Sequence, residues 1–352
     1  MNSAIIDAIT KAVLYEGYML YPYRPSAIKN RQRFNFGVLY PRPYSEAQGG
    51  MDAWRMQTQC LVLGGDETRC VVRVRFLRMV ARSIGKLTTP MDDLPSLDGL
   101  DLVRVDRYEA GGRGYQPWLE AVEEEVEVAE IALSGLLSGP MQWPFRMPGK
   151  RAAEGIREEN GKIRAVVLRE QEPLMGLIEI SAECVREGLF RVAVEIFNAT
   201  SLDTPVAREE ALARSLVSTH TILEAREGEF VSLIDPPENL REFVSGCHNT
   251  GTWPVLVGAE GQRDTMLSSP IILYDYPQVA AESPGDLFDG AEIDEILSLR
   301  IMTMTEDEKR EIRESDEMAR KILERTDTLP EEHLKKLHGA VRGLRPTRGA
   351  MP

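Results

Sequence analysis

The sequence predicts a β-rich α+β protein: two antiparallel β-sandwich-like domains, short helices and a helical C-terminal extension. Three observations lead there. Strand-like alternation recurs in both halves of the chain. Cys70, Val72, Val74 and Phe76, for example, alternate with Val71, Arg73 and Arg75, which sends one set to a core face and both arginines to the other. Pro140, Pro144 and Pro148 punctuate the middle of the chain, and the polar stretch RAAEGIREENGK follows, the pattern of a linker. From Asp286 onward apolar positions thin out and charges take helical spacing. The expected units are a β-rich domain over 1–139, a linker over 140–162, a second β-rich domain over 163–285, a charged helical extension over 286–342 and a disordered tail over 343–352.

The elements follow in order. Ile5, Ile9, Ala12 and Val13 recur at helical spacing, so the chain opens with a short amphipathic helix. Gly64-Gly65-Asp66 between QTQCLVL and RCVVRVRF reads as a hairpin turn. Trp118 to Leu133 suits either a helix or a strand. Ile178, Ile180, Ala182 and Cys184 alternate with Glu179, Ser181 and Glu183, and a turn at Glu187-Gly188 leads to Phe190, Val192, Val194 and Ile196. That is an antiparallel pair with one buried face and one wet face. Pro205 and Pro237 each open a short helix, and Gly246 ends the second. Strands are expected at SLVSTHTIL, GEFVSLI, WPVLV and SPIILY. Asp289 with Glu292, and Thr305 with Glu308, are capping boxes. The helix after the second, about 306–325, carries acid-first i,i+4 pairs such as Glu306 with Arg310.

Composition bounds the function class. A chain of 352 residues with 43% apolar content buries a core without staples. Cys60, Cys70, Cys184 and Cys247 are scattered, without metal spacing, which points to a reducing compartment. Asp7, Lys11 and Glu16 interrupt any signal-peptide core, and no apolar run has the roughly 20 residues of a membrane span. A cytoplasmic protein is expected. The net charge of −14 is uneven: residues 1–90 hold 13 Lys and Arg against six Asp and Glu, the remainder 29 against 50. The basic quarter faces either a polar partner or the acidic part of its own chain.

The chemical motifs are sparse. Cys184, His220, Cys247 and His248 are weak metal candidates, because adjacent Cys247 and His248 rarely aim at one ion and no second pair has zinc spacing. His220 alternates in phase with Leu216 and Ile222, as a hydrogen-bonded core or edge histidine would. No G-x-S-x-G elbow is present. Gly111-Gly112-Arg113-Gly114 lacks the lysine of a P-loop and reads as a turn. No catalytic residue and no cofactor is assigned.

The segment from Tyr15 to Tyr44 stands apart. It holds six of the ten tyrosines, five basic residues and one acid, Glu16. Tyr and Arg dominate interface hot spots, and Pro22, Pro25, Pro41 and Pro43 stiffen the backbone, which lowers the ordering cost of binding. Tyr15, Tyr18, Tyr21, Tyr23, Arg24, Lys29, Arg31, Arg33, Tyr40, Arg42 and Tyr44 are therefore the candidate partner-binding residues. The same mix could stack on single-stranded nucleic acid, but the acidic balance of the chain opposes that. A third reading has these tyrosines covering an edge of the N-terminal sandwich.

YEGYMLYPYRPSAIKNRQRFNFGVLYPR, LVSTHTIL with GEFVSLIDPP, GTWPVLVG and DTMLSSPIILYDYPQVAAESPGDLFDGAEIDEILSLRI carry a resemblance across nearly the whole chain. It is similar to a bacterial family with no assigned activity whose members are encoded beside nickel–iron uptake hydrogenase genes. The resemblance implies a context and no catalytic residues: assembly, maturation or scaffolding of a hydrogenase by binding one of its subunits or maturation factors. The expected function is thus a non-enzymatic accessory protein. The alternatives are a cysteine- or metal-dependent maturation enzyme and a single-strand nucleic-acid binder using the basic N-terminal region.

Overall fold

A computed structural model describes residues 3–15, 36–94, 100–278, 305–306 and 309–310. The fold is β-rich, with one large antiparallel sheet and one small sheet. The elements in chain order are α1 (Ser3–Leu14), α2 (Arg42–Ala47), β1 (Arg55–Met91), β2 (Leu102–Val105), β3 (Tyr108–Ala110), β4 (Arg113–Tyr115), β5 (Trp118–Ala132), α3 (Leu133–Leu136), β6 (Met141–Met147), β7 (Lys150–Arg157), β8 (Ile163–Gln171), β9 (Leu174–Arg186), β10 (Leu189–Asn198), α4 (Arg208–Leu212), β11 (Val217–Phe230), α5 (Arg241–Ser245), β12 (Trp253–Leu256) and β13 (Thr265–Ser269). Eleven strands share the large sheet, whose main path is β12-β13-β11-β1-β10-β9-β6, while β3 and β4 form the small one.

β1 organises the sheet. Its 37 residues pair with β10 over Arg55–Leu63, β5 over Arg69–Arg82, β11 over Val62–Leu77 and β8 over Ala81–Met91. The expected hairpin at Gly64-Gly65-Asp66 is therefore corrected to a bulge. Gly64 faces Gly228 and Arg69 faces Arg226, so the extra residues loop out and the strand continues. Thr68 holds the bulge: Gly65 N donates to Thr68 Oγ1 at 2.8 Å, and Thr68 Oγ1 donates to Glu227 O at 2.6 Å. A Cβ on Gly64 would sit 2.2 Å from that hydroxyl, so only glycine fits. The turn chemistry was legible, but the chain uses it to bend one strand rather than to reverse it.

The main core gathers the inward face of this bent sheet. Met56, Cys60, Val62, Cys70, Val72, Val74 and Phe76 of β1 meet Ile178 and Ile180 of β9, Val192, Val194 and Ile196 of β10, and Leu223 and Phe230 of β11. Phe76 lies 6.2 Å from Phe145 of β6, centroid to centroid, so the β6 end of the sheet path folds back over the middle of β1. The alternation expected in β1, β9 and β10 matches this burial except at Val71, which is buried, and at the end of β9, where Cys184 is exposed. Strands from both expected domains lie in the one sheet, and most of 140–162, expected as a linker, is paired strand: β6 with β9 and β7 with β8. Its prolines suit edge strand β6, where Pro144 leaves no ladder donor unmet.

Other expectations resolve locally. Trp118–Ala132 is a strand, because β1 pairs with it through Arg82–Arg69. Gly111 and Gly112 take φ of +55° and +73° and make the two-residue turn of the β3–β4 hairpin. The helix expected at Pro205 begins at Arg208. The last strand is TMLSS rather than SPIILY, and Ile272 and Tyr274 are exposed. Glu306, Lys309 and Arg310 are helical, and Lys309 N donates to Thr305 O at 3.0 Å. The rest of the expected extension and tail lies outside the described residues.

Candidate cleft beside helix α2

Four arginines of β1 find acidic partners within the molecule. Arg73 pairs with Glu224, and Arg75 with Glu125 and with Asp7 of α1. Arg78 reaches Glu124, and Arg82 reaches Glu120. Arg78 is fully buried, and its Nη2 donates to Pro148 O at 2.6 Å and to Glu172 O at 2.7 Å. It pins the β6–β7 and β8–β9 turns. Among the described residues, Arg73, Arg75, Arg78 and Arg82 of the basic quarter thus meet acids of the remainder, as one of the two readings of the charge pattern expects.

Four members of the candidate segment are described. Tyr15, Tyr40 and Tyr44 are buried, in a cluster with Leu77 and Met79 of β1 and Leu212 of α4. Burial pushes the Tyr40 phenol up to about 12. Tyr15, Tyr40 and Tyr44, expected to face a partner, are corrected to sheet cover: their rings pack against Leu77 and Met79 of β1 and Leu212 of α4. Arg42 remains exposed, ion-paired to Glu46 at 2.7 Å. Tyr18, Tyr21, Tyr23, Arg24, Lys29, Arg31 and Arg33 lie outside the described residues.

Arg42 leads to the site that sequence reading missed. A cleft of about 450 Å³ is lined by Arg42 and Pro43 of α2, Trp54, Leu177 and Glu179 of β9, and Phe197 to Ser201 at the end of β10. That volume falls within the ~300–1,000 Å³ of ordinary ligand clefts. Strand register builds its floor. Arg55, Phe197, Leu177 and Pro144 stand side by side on four adjacent strands. Their neighbours Met56, Ile196 and Ile178 point into the core, so this row faces outward. Trp54 forms the wall, 5.7 Å from Phe197, with the Arg42 guanidinium 4.7 Å and that of Arg55 5.8 Å from its ring. These cation–π contacts, each about 0.5–1 kcal/mol at exposed sites, hold the indole in place. Asn198 secures the far end. Its fully buried amide donates to Leu39 O and Arg214 O, both at 2.8 Å, and its Oδ1 accepts from Thr200 N at 3.0 Å.

The second outward row reads Gln57, Glu195, Glu179 and Gln142. Glu195 and Glu179 are direct cross-strand partners, a like-charge pairing that sheets disfavour. Arg55 approaches Glu195 only to 3.8 Å. Glu179 accepts from Gln142 Nε2 at 2.8 Å and has no cationic partner among the described residues.

The weak metal candidates are not assembled. Cys184 is exposed at the end of β9, its thiol near Arg186 O at 3.2 Å. Cys247 follows α5, and burial raises its thiol. His248 meets Gln59 through its backbone amide at 2.8 Å. No group of three or more His, Cys, Asp or Glu among the described residues is placed to hold a metal. His220 is fully buried, with Nδ1 2.7 Å from Ser218 O and Nε2 3.2 Å from Ser269 Oγ. Desolvation lowers its pKa to about 4, so it is a neutral core histidine, as its phase with Ile222 predicts. No helix of the described residues is long and apolar enough to cross a membrane.

No protein-family model matches this chain, and no curated protein matches it.

Proposed function

We propose that the protein is a non-enzymatic, cytoplasmic accessory or scaffold protein that acts by binding another protein, in the assembly or maturation of a nickel–iron hydrogenase. The hydrogenase context rests on the sequence resemblance. The binding role rests on one observation: an open cleft beside α2, in which Phe197 of β10 and Leu177 of β9 lie half-exposed beside Trp54 and Arg42. Trp and Arg are the side chains that dominate interface hot spots, and a rigid sheet presents them without an ordering cost. The charged helix expected at about 306–325, with its thin apolar stripe, supplies a second contact surface in this proposal.

The test is affinity purification of the tagged full chain from its native host. Hydrogenase subunits or maturation factors are expected to co-purify, and to be lost with Trp54→Ala. Recovery of the chain alone, or of partners unrelated to hydrogenase, overturns the reading.

A further inference from the structure

The cleft also indicates the chemistry of its occupant. The obvious match for two arginines is an anion, but both are already committed. Arg42 is ion-paired to Glu46 and rests on Trp54, and Arg55 lies between Trp54 and Glu195. The less satisfied charge is negative: Glu179 has no cationic partner among the described residues, and Glu195 has only Arg55 at 3.8 Å. Glu179 and Glu195 face each other across two strands, directly beside the Phe197–Leu177 pair. Like charges in register destabilise a sheet unless a counter-charge joins them. A cation seated between them relieves that repulsion and lies one residue pair along from the apolar floor. The excess of acid in the whole chain, net −14, steers a basic partner in the same direction.

We propose, resting on the protein-binding reading above, that the cleft takes an extended basic–apolar segment of a partner protein. One apolar side chain of the segment packs on Trp54, Phe197 and Leu177. A lysine or arginine beside it binds Glu179 and Glu195 together. Specificity comes from the carboxylate pair and affinity from the floor.

Isothermal titration of the full chain with three capped hexapeptides tests this: alternating leucine and lysine, alternating leucine and glutamate, and alternating serine and lysine. The leucine–lysine peptide is expected to bind and the other two to fail. Replacing both carboxylates, Glu179→Gln with Glu195→Gln, is expected to weaken leucine–lysine binding about tenfold, the scale of two exposed ion pairs. Leu177→Asn is expected to weaken it without lowering the melting temperature by more than a few degrees. General attraction to an acidic protein is separated by the same variants, because they remove two of 56 acidic residues. The inference is overturned if the leucine–glutamate peptide binds as tightly, or if the double carboxylate variant binds leucine–lysine unchanged. Either result leaves the hydrogenase reading standing, because that is decided by which proteins co-purify.

Discussion

One strand, β1, sends arginines outward in two places, and the two places have opposite fates. In its middle, Arg75 is closed in. Asp7 of α1 and Glu125 of β5 both bond it, while Ile6 and Ile9 of α1 pack on Ile222, Val255 and Leu267 beside it. At its start, Arg55 is 59% exposed, with one acid at 3.8 Å, and the row it opens ends in exposed Pro144. The first face is finished by the chain itself. The second keeps a half-exposed apolar floor and a carboxylate pair that shares one arginine at 3.8 Å. Charge in a sheet is therefore a poor guide to binding until its partners are counted; the face with fewer ion pairs is the one left to receive something.

Perturbing the covered face is expected to cost stability, and perturbing the open face to cost binding. The largest effect falls on α1. Ile9→Ala removes a buried side chain and lowers unfolding free energy by about 2–5 kcal/mol, measured by denaturant titration; Leu177→Ala on the open face stays within about 1 kcal/mol. Next comes His220, the Cα partner of Arg75 on the covered face. Its pKa, about 4 when folded, lies below the unfolded value of about 6.5, so the unfolded chain takes up the proton first. Its contribution is fully present above about pH 6.5 and is lost as pH falls toward 4, roughly 3 kcal/mol in all. Stability curves at several pH values, with His220→Gln removing this slope, check the sign. Smaller again is Arg75→Met, expected to lower stability by about 1 kcal/mol, while Arg55→Met changes it by a few tenths at most. The smallest effect has the opposite sign: Glu179→Gln relieves the cross-strand repulsion and raises the melting temperature slightly.

Much of the fold was legible in sequence where one face is wet and one is dry. β9 and β10 could be paired across Glu187-Gly188 because Glu179, Glu183 and Glu195 mark the outward positions. β13 was not legible. Its five residues are buried on both faces, and its serines are satisfied by Thr58, Thr252 and His220, so no alternation distinguishes it. IILY, more apolar, was the natural choice and is wrong. The bulge at Gly64 carries hairpin chemistry because glycine serves a close approach as well as a reversal. Six tyrosines in one segment pointed to a surface, yet Tyr15, Tyr40 and Tyr44 are spent covering β1. Of the cleft, sequence reading singled out Arg42 but not its walls. Arg42, Trp54, Leu177 and Phe197 are distant in the chain, and only strand register makes Glu179 and Glu195 neighbours.

The most direct measurement compares two variants in one pull-down from the native host: Leu177→Asp on the open face and Lys11→Ala at the rim of the covered face, each against the unaltered chain. The account predicts that Leu177→Asp abolishes partner recovery with its melting temperature little changed, while Lys11→Ala recovers the partner in full. Equal recovery by both variants, or loss confined to Lys11→Ala, would contradict it.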